Sequence, residues 1–164
     1  IKSNNLKNNI SALNIALGEN ACELKFKYDG ALSRQSDGNA VGEIVQVKRM
    51  EEIIDYAELI KIDVEGFELN VLNGANKVLD DLRTNALIIE MIPNKPLEKY
   101  KYKVYEALLN KNFHSYKYHP NKRYFEHLSS DDISLPNTIF IRDLDLAIKK
   151  VNSSDKIKIG SKYY

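Results

Sequence analysis

Two short runs, LIKIDV at 59–64 and ALIIEMI at 86–92, limit what this chain can fold into more than any other feature. Both are nearly continuous in apolar residues, a pattern expected of interior parallel strands covered on both faces. Between them Leu69, Leu72, Ala75, Leu79 and Leu82 fall on one helical face, and Gly74 marks a break or a close-packing point. Strand, helix and strand in that order predict an α/β sheet with helices on both faces. Pro93 and Pro96 end the second run.

The flanking segments add elements to this centre. IKSNNLKNNI reads as the polar end of a helix, and ISALNIAL at 10–17, closed by Gly18, as a strand. In CELKFKY, residues Leu24, Phe26 and Tyr28 alternate with Glu23, Lys25 and Lys27, the period of a strand with one wet face. A polar loop is expected over 29–39, then a strand at GEIVQVK. Met50, Ile53, Ile54 and Ala57 predict a short amphipathic helix over 48–56. Val104, Tyr105, Leu108 and Leu109 predict another, stopped near Asn112, which can replace glycine at a helix end. FHSYKYH and NTIFIRD, with no helical pattern between them, predict a hairpin at one sheet edge. The expected organisation is one domain over 1–148 and a polar tail over 149–164, with DKIKIG pairing with another segment.

Composition narrows the function classes. The chain has 164 residues, 43% of them hydrophobic, enough for one domain with a core. Its 24 basic and 23 acidic side chains nearly cancel, so no global field favours nucleic acid or an anionic membrane. No apolar run reaches the roughly 20 residues of a membrane span. A single cysteine, Cys22, excludes an internal disulfide and fits a reducing compartment, and the expectation is a cytoplasmic protein.

The first apolar run ends in Asp63 and Glu65, followed by Gly66. In an open parallel sheet, ligands bind outside the carboxyl ends of the strands. A carboxylate placed there can meet a cation, an amine or a hydroxyl; equally, it can cap the helix that follows. Glu90 stands at the end of the second run, where it flanks the same crevice or pairs with a lysine. His114, His119 and His127, with Asp131 and Asp132, lack the tight spacing of zinc motifs and read as a surface loop. Tyr116, Tyr118, Tyr124 and Phe125 have the chemistry to stack on a sugar ring or an aromatic acceptor, and the interleaved Lys and Arg side chains permit phosphate contact. Ser33 and Arg34 lie in the 29–39 stretch, either a flap over an acceptor or a plain hairpin connection.

The sixteen residues IKIDVEGFELNVLNGA resemble the signature of the FkbM-type methyltransferases. LNIALG, VKRMEEII, ALIIEM and NTIFIRD are similar to further pieces of that family in the same order, so the resemblance runs from about 6 to 142. It implies a Rossmann-like class I methyltransferase sheet, mostly parallel with an antiparallel edge hairpin. It also implies S-adenosylmethionine as cofactor and transfer of a methyl group to a hydroxyl of a saccharide or other small molecule. On that basis Asp63, Glu65 and Glu90 are the candidate catalytic residues, and Ala16, Leu17 and Asp63 the candidate cofactor contacts. A divalent cation held by Asp63 and Glu65 is a lesser expectation. The family's glycine-rich cofactor turn and the acidic residue that holds the ribose have no counterpart here. The resemblance therefore implies a segment starting at the third strand, truncated at the N-terminus, that binds the cofactor poorly when alone. A non-catalytic binding module that keeps the fold is the alternative.

Overall fold

A computed structural model describes residues 9–29, 32–35, 42–90, 98–129 and 137–163. The strands are β1 (Ala16–Leu17), β2 (Cys22–Asp29), β3 (Leu32–Gln35), β4 (Glu43–Lys48), β5 (Leu59–Ile62), β6 (Ala86–Glu90), β7 (His114–His119), β8 (Tyr124–His127), β9 (Asn137–Ile141), β10 (Lys158–Ile159) and β11 (Lys162–Tyr163). The helices are α1 (Glu68–Asn73), α2 (Asn76–Asp80), α3 (Glu98–Leu109) and α4 (Leu144–Ser153).

The central prediction holds in kind: β5 leads through α1 and α2 into β6, and the two strands pair in parallel from Leu59 opposite Ala86 to Ile62 opposite Ile89. The helical stripe after Asp63 is broken at Gly74, between the end of α1 at Asn73 and the start of α2 at Asn76. That break packs closely against another part of the chain. A Cβ on Gly74 would lie 1.9 Å from the Gly18 carbonyl oxygen, so the end of α1 rests on the exit of β1, backbone to backbone. Nearby, Glu51 N–H donates to the Gly74 carbonyl at 3.3 Å, and Asn73 Nδ2 donates to Glu19 at 3.3 Å.

The sheet differs from a mostly parallel one. Five strands run in the order β5-β6-β9-β7-β8, with only β5–β6 parallel; β6–β9, β9–β7 and β7–β8 are antiparallel. The physical reason is the insertion of β9, which runs against β6 on one side and β7 on the other, so β5, β6 and β7 point the same way without all touching. β7 does pair with β9, but the edge hairpin is β7 with β8, a strand that the sequence pattern did not show. A second sheet, β1-β4-β2-β3, has one parallel pair, β1–β4. β5 is not interior: its one partner among the described residues is β6, and Leu59 is 57% exposed.

Local corrections have local causes. The helix expected over 48–56 is a single 3-10 turn, Met50–Glu52, because only Met50 finds the core there. The strand expected over 10–17 is reduced to β1. The 29–39 stretch is no simple loop, since β2 runs to Asp29 and β3 pairs back on it; the side chains of Ser33 and Arg34 lie outside the described set. In the 149–164 segment, α4 extends past position 148 to Ser153, and DKIKIG contributes β10, which pairs with β11. Asn112 has the positive φ expected of it, 62°.

The core lies between one sheet face and α1, α2 and α3: Ile60, Ile62, Leu87, Ile89 and Phe140 meet Val71, Leu72, Val78, Leu79, Val104 and Leu108. Each such side chain contributes about 1.5–3 kcal/mol by leaving water. Arg142 closes one end of this layer. Its guanidinium lies 4.2 Å over the Phe113 ring and donates to the carbonyls of Leu79, Asp81, Thr84 and Lys111. Asn85 joins β6 to α4 with two bonds to the Asp143 backbone, at 3.0 and 2.8 Å. α4 lies on the opposite sheet face, where a groove of about 730 Å³ is lined by Leu59, Ala86, Ile88, Phe125, Ile139 and Val151, among others. Among the described residues no helix is long and apolar enough to cross a membrane.

Candidate functional site

β5 ends at Ile62 and the chain turns sharply at Glu65, φ 51°, and Gly66, φ 100°. Two successive left-handed residues fold the strand back into α1 within a few positions. Gly66 takes its φ without cost. Glu65 does so against roughly 1–2 kcal/mol of steric strain, so its neighbours must hold it there. The parallel register pairs Ile62 with Ile89, so one step further along Asp63 and Glu90 leave adjacent strands side by side. One carboxylate oxygen from each of Asp63, Glu65 and Glu90 lies within 4.8 Å of the others.

Three acidic groups this close cannot all stay ionised at no cost. A hydrogen bond shared with Glu90 is the first cause that holds the Asp63 carboxyl below its ordinary range, and Lys61 Nζ, 3.0 Å from Asp63 Oδ2, adds to it. The same shared bond pushes Glu90 up, with repulsion from the Asp63 and Glu65 charges in the same direction. The two titrate as a pair, with Asp63 the more acidic member and Glu90 the less acidic one. The site faces water: the Asp63 side chain is 50% exposed and that of Lys61 42%.

Of the residues singled out in the sequence, Asp63, Glu65 and Glu90 come together. Ala16 and Leu17, half-buried, lie on β1 in the other sheet, where they pair with Val47 and Lys48; Leu17 also packs against the core. Asp63 is not among the residues that line the groove, which opens at the amino ends of β5 and β6. His119 binds Glu126 at 2.7 Å across the β7–β8 hairpin, and His114 lies 6.3 Å from His127, ring to ring. Asp131 and Asp132 lie outside the described residues. Tyr116, Tyr118 and Phe125 pack on one another in that hairpin, at 6.5 and 4.8 Å between centroids, and Tyr118 and Phe125 reach the groove.

Sequence reasoning missed three residues near the turn. Lys61 is the counter-charge to Asp63. Glu68 is buried, 2% exposed, and its Oε1 accepts from the Gly66 N–H at 3.0 Å. Tyr100 of α3 accepts from the Leu69 N–H at 2.8 Å, beside the Glu68 charge. Lys61 was legible as a charge two positions before Asp63, on the same side of the strand. Glu68 was visible as a third acid after the glycine, though its burial was not.

The family model described as the methyltransferase FkbM domain matches residues 3–119. The match covers more than half of the 164 residues, and the chain belongs to the FkbM methyltransferase domain family. The matched region holds all three converging carboxylates and the turn that carries two of them. Searches of curated proteins and of solved structures return no significant match.

Proposed function

We propose that the protein is an S-adenosylmethionine-dependent O-methyltransferase acting on a hydroxyl of a saccharide or another small molecule. The observation that carries this reading is the convergence of Asp63, Glu65 and Glu90 at the ends of two parallel strands in an FkbM domain. The donor set fits the cofactor: three carboxylates against one lysine leave negative charge where a cationic sulfonium or its amino group is attracted. Asp63 would hold the amino group, and Ala16 and Leu17 would lie against the adenine. When bound, the cofactor supplies a methyl group on sulfur.

The chain's own residues then have two tasks. Forming an ether from an alcohol releases the hydroxyl proton. Asp63, held ionised, orients that hydroxyl by accepting its hydrogen bond and takes the proton as the new C–O bond forms. Glu90, its carboxyl pushed up by the hydrogen bond to Asp63 and by the Asp63 charge, flanks that base. Such a base contributes roughly 10²–10⁴-fold, and alignment of the reacting groups up to about 7–11 kcal/mol. Two or three exposed carboxylates alone make a thin cage for a divalent cation, so the cluster is read here as a proton and hydroxyl site.

The test is a labelled-methyl screen of the full-length protein against glycans and hydroxylated small molecules. Label transferred to an oxygen of at least one acceptor supports the reading. Absence of transfer across the screen, with no cofactor binding by calorimetry, supports a binding module that has kept the fold.

A further inference from the structure

The turn that presents Asp63 and Glu65 is held from below by two polar side chains, Glu68 and Tyr100. Glu68 lies in the first turn of α1 with its carboxylate folded back to accept the Gly66 N–H at 3.0 Å. The Tyr100 hydroxyl, reaching across from α3, accepts from the Leu69 N–H at 2.8 Å, one residue on from Glu68. The N-cap of α1, Phe67, has no side chain that can cap it, so Tyr100 supplies in trans what an N-cap residue supplies locally. A carboxylate 2% exposed is tolerated only when hydrogen-bonded, and here its partner is the Gly66 N–H in the turn.

We propose that Glu68 and Tyr100 are positioning residues: they clamp the left-handed turn at Glu65 and Gly66, and so fix the carboxylates of Asp63 and Glu65 relative to Glu90. The clamp rests on the proposed function only for what the turn presents; the contacts themselves are independent of any reaction. It explains how Glu65, an ordinary L-residue, is kept at φ 51° in an exposed segment. Burial, with the Glu68 charge adding to it, pushes the Tyr100 hydroxyl up to about 12, so it stays a protonated donor at every physiological pH.

The experiment compares Tyr100→Phe and Glu68→Gln with the wild-type 164-residue chain by NMR. Tyr102→Phe, at an exposed position of α3, serves as control. Tyr100→Phe removes a single oxygen, so it tests the clamp even where Glu68→Gln fails to fold. Amide exchange at Leu69 and Gly66 is expected to rise about tenfold or more relative to Leu79 and Phe113, whose N–H groups bond within the core layer. The carboxyl carbon resonances of Asp63 and Glu65 are expected to move with it, and the control to change neither. Native exchange at both amides overturns the clamp. A rise shared equally by Leu79 and Phe113 also overturns it, since it means general loosening, as do carboxyl resonances that stay in place. If full-length wild-type protein transfers no methyl group, the functional reading falls, while the exchange data still decide on the clamp.

Discussion

Within six residues this chain places carboxylates in opposite situations. Glu68 is buried and accepts a hydrogen bond from the Gly66 N–H. Asp63 is half exposed, with the carboxylates of Glu65 and Glu90 beside it. The first arrangement stores stability in fixed geometry; the second keeps a charge in contact with solvent and with an acid. A group fully engaged with its own protein has little left for a ligand, whereas a crowded pair gains from any partner that brings positive charge or takes the proton. One strand and one turn serve both because the glycine between them reverses the chain.

The comparison breaks first on stability. Glu68→Ala is expected to cost about 2–4 kcal/mol, from the emptied space and the orphaned donors around it. Asp63→Ala is expected to leave the urea midpoint near that of wild type, since its ion pair with Lys61 is on the surface. Equal losses in the two variants would erase the distinction. Tyr100→Phe comes next, at about 1 kcal/mol, the worth of a helix cap, read as a lower midpoint with an unchanged slope.

The smallest effect is in the pH dependence. Glu90 has its folded pKa raised above its ordinary 4.5, so its contribution to stability is full below that value and is lost as pH rises through the folded one. Asp63 has its pKa lowered from 3.8, so its contribution is present above that value and is lost as pH falls through the folded one. A plot of urea midpoint against pH should therefore show a downward step on the high-pH side of 4.5 in the wild type. In Glu90→Gln the step should be absent, and its persistence there would assign it to another group.

Much of this was legible in the sequence, and the rest has identifiable causes. The β5–helix–β6 unit and its terminal acids follow from apolar runs that end in charge, and Gly74 was a visible break. The place of β9 was not legible, because insertion between β6 and β7 depends on pairing among strands distant in sequence. β8 was hidden: four residues, Tyr124–His127, give too short a pattern, and its partner strand carries the same aromatic and basic mixture. α4 did leave a signal, Leu144, Ala147, Ile148 and Val151 after the capping Asp143, masked by the lysines around it. The turn beyond β5 was readable as a site, but that Glu68 faces inward while Asp63 faces out depends on Tyr100, thirty-two positions further on.

The most direct measurement is methyl transfer by full-length Asp63→Ala against wild type, on an acceptor found in the screen, at saturating cofactor. The account predicts a rate lower by about 100-fold or more, with the melting temperature unchanged. A variant that turns over at the wild-type rate would contradict it, because the Asp63 carboxylate would then have no part in the chemistry.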